Sequence, residues 1–117
     1  SAIIDTKVVS GHGSSDSANF TSTDKLYLLS TAEVWAQETI DYDTGGDNTR
    51  QLDYYTGVTT NSCSKAIKQL NGSNSYWWLR APFSIYDSTF SYVSRFGDWI
   101  CTNANGTHGV SPAFRIA

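Results

Sequence analysis

The chain reads as an α+β domain built from short strands and two short helices, with much irregular loop between them. Three observations carry that reading. Apolar and β-branched residues gather in runs of a few residues, not in long stretches with a helical repeat. Helix-start signals occur at only two places. Everything between is rich in Gly, Ser, Thr, Asn and Asp, the residues that favour turns. At 117 residues the chain is long enough for one core, so we read residues 1–117 as a single domain.

Ile3 to Val9 is β-rich and predicts an N-terminal strand, and Ser10 to Thr23 predicts a loop. Leu26-Tyr27-Leu28-Leu29 predicts a short buried strand. Ser30-Thr31-Ala32-Glu33 has the form of a capping box, which predicts a helix to about Glu38 with Val34 and Trp35 turned inward. Asp41 to Asn48 holds Gly45-Gly46 and predicts a second loop. Ser64 to Leu70 predicts a second helix, with Ala66, Ile67 and Leu70 on one face and Asn71-Gly72 as its stop. Tyr76 to Leu79 predicts a strand, and Pro82 has no N–H to continue a ladder. Weaker strands are expected at Phe90 to Ser94 and Trp99 to Thr102. Ala113 to Ile116 predicts a last strand, paired inside a sheet. No internal repeat is present.

Apolar residues make 39% of the chain and aromatics 14%, which excludes a disordered polymer. Charged residues make only 16%, so hydroxyls, amides and Tyr must form much of the surface. That mixture is found in secreted and surface-displayed binding modules and in antibody paratopes. The net charge is −3 and no basic patch exists, which argues against nucleic acid as a partner. No apolar run is long enough to span a membrane.

Metal and catalytic signatures are weak. Asp41, Asp43, Asp47 and Asp53 surround the Gly-Gly loop but lack the spacing of a calcium loop, and read as a solvated acidic segment. His12 and His108 are the only histidines and no C-x-x-C exists, so neither metal nor cofactor is expected. No G-x-S-x-G is present, and His108 sits in a Gly-Thr-His-Gly turn. Cys63 and Cys101 leave two readings open, a disulfide or two free thiols packed as small hydrophobes.

The richest segment lies between Pro82 and Gly109. Phe83, Tyr86, Phe90, Tyr92, Phe96 and Trp99 are interleaved there with Ser, Thr and Asp. A two-residue alternation cannot bury all six rings, so two or three are expected inside and the rest displayed. We therefore expect a ligand surface of Tyr86, Asp87, Phe90, Tyr92, Arg95, Phe96, Asp98, Trp99, Asn103, Asn105 and His108, with Phe83 beside it. Trp77, Trp78, Leu79 and Phe114 are expected in the core. Arg80 should be a buried or half-buried hub, since its five donors can tie several carbonyls together.

Tyr76-Trp77-Trp78-Leu79-Arg80-Ala81-Pro82 and Gly109-Val110-Ser111-Pro112-Ala113 resemble a bacterial family of unknown function with a W-W-L-R-S-P … G-V-R-P-A signature. Asp24 to Val34 is similar to that family's D-K-I-F-L-L-S-x-E-E-V. Ala81 replaces the family Ser and Ser111 its Arg. The resemblance implies a C-type-lectin-like fold related to formylglycine-generating enzymes. None of the lectin calcium-site motifs, E-P-N, Q-P-D or W-N-D, is present here, so calcium-dependent sugar binding is not implied. The family domain also starts further upstream. An uncovered apolar surface is therefore expected near Leu26 to Leu29, closed by an upstream segment or a neighbouring subunit.

Related lectin-like domains are diversified by retroelements that mutate adenines in AAC codons, a route that never reaches Lys, Glu, Gln, Trp or Met. Across Phe83 to His108 only Trp99 lies outside the reachable set, whereas Lys, Glu, Gln and Trp recur elsewhere. The resemblance thus implies an extracellular recognition module on a bacterial cell or phage particle, binding a protein or glycan without catalysis. The alternatives are a formylglycine-generating-type enzyme, which would need its two cysteines together in a pocket, and a structural fibre or adhesin subunit with no ligand.

Overall fold

A computed structural model describes residues 4–8, 17, 20–35, 51–59, 61–82 and 88–114. They form a small mixed α/β domain with mostly strands and little helix. Strands β1 (Ile4–Val8) and β2 (Phe20–Asp24) make one antiparallel pair, in register from Ile4 opposite Asp24 to Val8 opposite Phe20. β3 (Lys68–Leu70) and β4 (Ser73–Ser75) make a small hairpin. β5 (Trp77–Pro82), β6 (Thr89–Val93) and β7 (Trp99–Asn103) form an antiparallel sheet in that order.

The free edge of β5 is completed by two pieces of chain that are not themselves strands. Gly109 donates to the Tyr76 carbonyl at 2.9 Å and accepts from Trp78 N–H at 3.0 Å. Two residues further along, Arg80 N–H donates to the Leu29 carbonyl at 3.0 Å. Tyr27 and Ala113 then exchange both of their backbone bonds, at 3.0 and 2.7 Å. The segments expected as strands at Leu26 to Leu29 and from Ala113 onward are thus a single bridge each way, and residues 115–117 lie outside the described set. The bridge turns Tyr27 and Ala113 toward the core and leaves Leu26 and Phe114 63% and 57% exposed. Phe114 is therefore not core; of Leu26, Leu28 and Leu29 only Leu26 is exposed.

Helix α1 (Thr31–Val34) is a single turn carrying the predicted capping box. Glu33 N–H donates to Ser30 Oγ at 3.2 Å, and Ser30 N–H donates to Glu33 Oε2 at 2.8 Å. The helix ends sooner than expected because Trp35 is already extended (φ −114°, ψ 158°). Val34 and Trp35 are both fully buried, as the sequence predicted. Gln51 holds the next stretch in place. Its Nε2 donates to the carbonyls of Val34 (2.9 Å), Tyr55 (2.8 Å) and Val58 (3.1 Å). Tyr55, in the 3-10 turn Asp53–Tyr55, is buried enough for its phenol to be pushed up to about 12, with Tyr54 adding to the shift.

Two further sequence expectations fail. The loop expected over Ser10 to Thr23 gives way to β2 from Phe20, because Thr21 and Thr23 suit a pleated strand and β1 supplies the partner bonds. The helix expected over Ser64 to Leu70 is a 3-10 turn, Ser64–Ala66, followed by β3. Asn71 (φ 53°) and Gly72 (φ 82°) are both left-handed, which makes the two-residue hairpin turn of β3–β4 and not a helix stop. Leu70 accordingly points outward, 56% exposed.

The core lies between the inner face of the β5–β6–β7 sheet and α1 with its neighbouring turns. Trp77, Leu79 and Val93 meet Val34, Trp35, Tyr55 and Ala66 there. Trp77 Nε1 donates to the Ala66 carbonyl at 3.0 Å, so the largest inner ring is also hydrogen-bonded. Arg80 crosses from the sheet to the helix. Its Nη1 lies 2.7 Å from Glu33 Oε2 and 2.8 Å from the Leu28 carbonyl, with the two side chains only 13% and 3% exposed. The buried hub expected at Arg80 is there.

Removing one partner of a buried, hydrogen-bonded ion pair leaves the other charge uncompensated, which costs about 3–5 kcal/mol. Arg80→Ala should lose that much in a urea melt. The double variant Arg80→Ala/Glu33→Gln should be less destabilised than the sum of the two single variants. Additive losses would show that the pair is not coupled.

Gly97 in the β6–β7 turn has φ 89°, and a Cβ there would sit 2.1 Å from the Cys63 carbonyl oxygen. Gly97→Ala combines backbone strain of about 1–3 kcal/mol with that clash. It should lower the melting midpoint sharply, whereas Gly72→Ala, with open space around it, should show the strain alone.

Candidate functional site

Period-two alternation along β5 separates two adjacent tryptophans. Trp77, Leu79 and Ala81 are buried, while Trp78 is half-buried on the other face; Arg80, where the β5–β6 register shifts, is half-buried and reaches Glu33 and the Leu28 carbonyl. Register carries the same division across the sheet. Trp78 stands opposite Tyr92, Tyr92 opposite Ile100, and Phe90 opposite Thr102. One face of the sheet therefore carries Trp78, Phe90, Tyr92 and Ile100, all at least partly open to solvent.

On this outer face four rings pack together. The His108 ring centroid lies 4.4 Å from Tyr92, 4.6 Å from Trp78 and 5.3 Å from Tyr76. Tyr92 meets Tyr76 and Trp78 edge-on at 5.6 and 6.0 Å. The Gly109 bonds to Tyr76 and Trp78 position His108, since they pin the next residue of the chain alongside β5. Both imidazole nitrogens are covered, and neither has a well-aligned hydrogen-bond partner among the described residues. Burial holds the His108 imidazole below its ordinary value, against a weaker pull from the Thr107 backbone. Tyr92 is shifted upward, first by burial and then by its neighbours Tyr76, Cys101 and Asp98.

Beside the ring cluster is an open cavity of ≈320 Å³, lined by Leu28, Trp78, Leu79, Arg80, Phe90 and Ala104. Ala104 also belongs to a second hollow of ≈340 Å³, lined otherwise by Ser88, Asn103 and Asn105. The Ala104 N–H bond to the Ser88 carbonyl (2.9 Å) and the Gly106 N–H bond to the Asn103 carbonyl (2.9 Å) fold this rim. An apolar floor thus adjoins an amide-rich edge.

The described members of the expected ligand set fall in two neighbouring groups. Phe90, Tyr92 and His108 come together on the outer face, and Asn103 and Asn105 come to its rim. Arg95, Phe96 and Asp98 lie at the far end of the β6–β7 hairpin. There Ser94 hydrogen-bonds Asp98, Arg95 stacks 5.0 Å from the Phe96 ring, and Asn74 Nδ2 donates to the Arg95 carbonyl. Trp99 stands opposite Val93, is half-buried and packs against the core. Phe83, Tyr86 and Asp87 lie outside the described residues, as do Asp41, Asp43 and Asp47. Of the rings placed, Phe90 and Phe96 are exposed, and Tyr92 and Trp99 half-buried.

Trp78 was expected in the core, and Tyr76, Leu28 and Arg80 were not read as site residues. The alternation within Trp77-Trp78-Leu79-Arg80 is the signal that separates Trp78 from its neighbours.

Cys63 and Cys101 are free thiols. Cys63 lies under the hairpin turn, its Sγ 3.5 Å from the Phe96 carbonyl, while Cys101 is mid-strand opposite Ser91. Burial pushes both thiols up, with Asp98 adding to the effect at Cys63, so neither is activated as a thiolate. Among the described residues no three His, Cys, Asp or Glu side chains gather as a metal site. No helix among them is long and apolar enough to cross a membrane.

His108 also gives a pH signature. Its folded-state value is depressed, so the unfolded chain binds the proton more readily and stability falls as pH drops below the free-histidine value of about 6.5. The fall should level off below the folded value. Urea melts between about pH 7.5 and 5 should show this slope, and His108→Phe should flatten it. An unchanged slope in the variant would assign the effect to another group.

Over residues 1–117 the chain matches the model of a domain of unknown function, DUF6273, and it belongs to that family. No curated protein and no solved structure matches it.

Proposed function

We propose that this DUF6273 domain is a surface-displayed recognition module without catalysis, holding a protein or glycan ligand on the outer face of the β5–β6–β7 sheet. Its fold is of the C-type-lectin-like type, related to formylglycine-generating enzymes and to retroelement-diversified variable proteins. Its place is extracellular, on a bacterial cell or phage particle. The observation that carries the reading is the outer face itself: Trp78, Phe90, Tyr92 and His108 stand clear of the core, beside an open cavity and a rim of asparagines. Rigid rings supply contact area at low entropic cost, and amides supply adaptable hydrogen bonds.

The enzyme alternative calls for two cysteines sharing a concavity. Cys63 and Cys101 line neither of the two hollows beside the sheet, and burial pushes both thiols up. The structural-subunit alternative would bury Phe90 and Ile100 against a neighbouring copy.

The test is a binding screen of the parent chain against bacterial cells and their purified surface proteins, repeated with Phe90→Ser/Tyr92→Ser. Each true hot spot should cost about 2 kcal/mol in binding. Melting should stay cooperative, because neither ring belongs to the buried cluster. A folded variant that binds as tightly as the parent would move the site elsewhere.

A further inference from the structure

We propose that the outer-face cavity takes a neutral pyranose unit, so that the ligand is an uncharged saccharide chain docked by one of its sugars. This rests on the recognition reading above and narrows it to one chemical class.

Three features point there. First, size: ≈320 Å³ lies at the low end of the roughly 300–1,000 Å³ range of small-molecule sites, suited to one or two sugar rings and not to a folded partner. Second, the division of the walls. The floor is made by Trp78, Phe90 and Leu28, and the adjoining hollow by Ser88, Asn103 and Asn105. A pyranose has the matching division. Its axial C–H bonds form an apolar face whose slightly positive hydrogens pack on the negative face of an aromatic ring. Its equatorial hydroxyls radiate from the edge, each able to donate and accept. A carboxamide offers both functions in return, so Asn103 and Asn105 suit hydroxyls better than a single-function group would. Neither carboxamide takes part in a hydrogen bond among the described residues, and both side chains are exposed.

Third, charge. Arg80 is the one charged residue among the described lining of the two hollows, and its guanidinium is already engaged by Glu33 and the Leu28 carbonyl. Among the described lining residues an anionic sugar would find no cation kept for it, and a cationic peptide no carboxylate. An uncharged ligand with one apolar face and a hydroxylated edge meets neither problem.

The full chain is titrated with maltotetraose, chitotetraose and mannotetraose, with a heparin tetrasaccharide as the anionic arm. Tryptophan fluorescence and saturation-transfer NMR read the binding. At least one neutral saccharide should bind saturably, with its ring C–H protons receiving saturation. Phe90→Ala should weaken it by about tenfold or more, and Asn105→Ala by several-fold, consistent with about 0.5–1.5 kcal/mol for a hydrogen bond. Leu70→Ser, on the β3–β4 hairpin, should leave it unchanged. Both site residues are exposed, so loss of fold does not confound them, and a melt of each variant checks this. Failure of all three neutral saccharides to bind, preference for the heparin fragment, or binding indifferent to Phe90→Ala and Asn105→Ala would each overturn the proposal. Target cells treated with periodate or with protease separate the two levels. If only protease abolishes cell binding, the saccharide falls and the recognition module stands. If the untreated cells and purified proteins never bind, the recognition reading falls with it.

Discussion

One buried contact, between Arg80 and Glu33, joins the two halves of this domain. Glu33 Oε2 receives Arg80 Nη1 and the Ser30 backbone N–H together, so the same carboxylate closes the capping box and neutralises the guanidinium. The Arg80 backbone meanwhile bonds to Leu29 and its side chain to Leu28. The outcome is a single polar knot holding α1, the segment before it, and β5. Such a pair need not add net stability over an apolar replacement, because desolvating two charges is expensive. Its value here is geometric. It fixes where the helix stands over the sheet, and hence which side of β5 becomes core. Once Trp77 and Leu79 are committed inward, the pleat leaves Trp78 nowhere to go but the outer face.

That chain of consequence explains what could be read from the sequence. The capping box was legible because it is a local code of four residues whose groups satisfy each other. Strands β6 and β7 were legible to within one residue, whereas β5 runs three residues past the expected end and takes Pro82 into its pairing with β6. The Ser64 to Leu70 helix was misread for a physical reason. Ala66, Ile67 and Leu70 do have helical spacing, but Asn71-Gly72 with two left-handed residues demands a hairpin, and Lys68 to Leu70 found partners in Ser73 to Ser75. Edge pairing of this kind depends on contacts made after folding, and a propensity carries little information about it.

The site was legible by region but not by side. A string of rings between Pro82 and Gly109 announces a surface, yet which rings face it depends on register between β6 and β7. With Val93 opposite Trp99, Phe90 and Tyr92 fall on one face and Trp99 on the other. Arg95, Phe96 and Asp98 lie in the turn just beyond the Val93–Trp99 pair, where the strand alternation that places Phe90 and Tyr92 no longer applies. The wall supplied by Trp78, Leu28 and Arg80 comes from segments read as interior. They are interior on one side only, as any strand in a sheet with a single covered face must be.

Gln51 shows how narrowly one side chain can be specified by backbone alone. Three carbonyls, from Val34, Tyr55 and Val58, converge on its single NH₂ group. Each carbonyl oxygen turns its negative end to the same point, so the pocket they form accepts a donor and repels any acceptor. Hydrolysis of the side-chain amide to a carboxylic acid, a slow chemical change that accompanies protein ageing, would put a carboxylate in that spot. The three dipoles that now hold the turn would then push against the group at their centre.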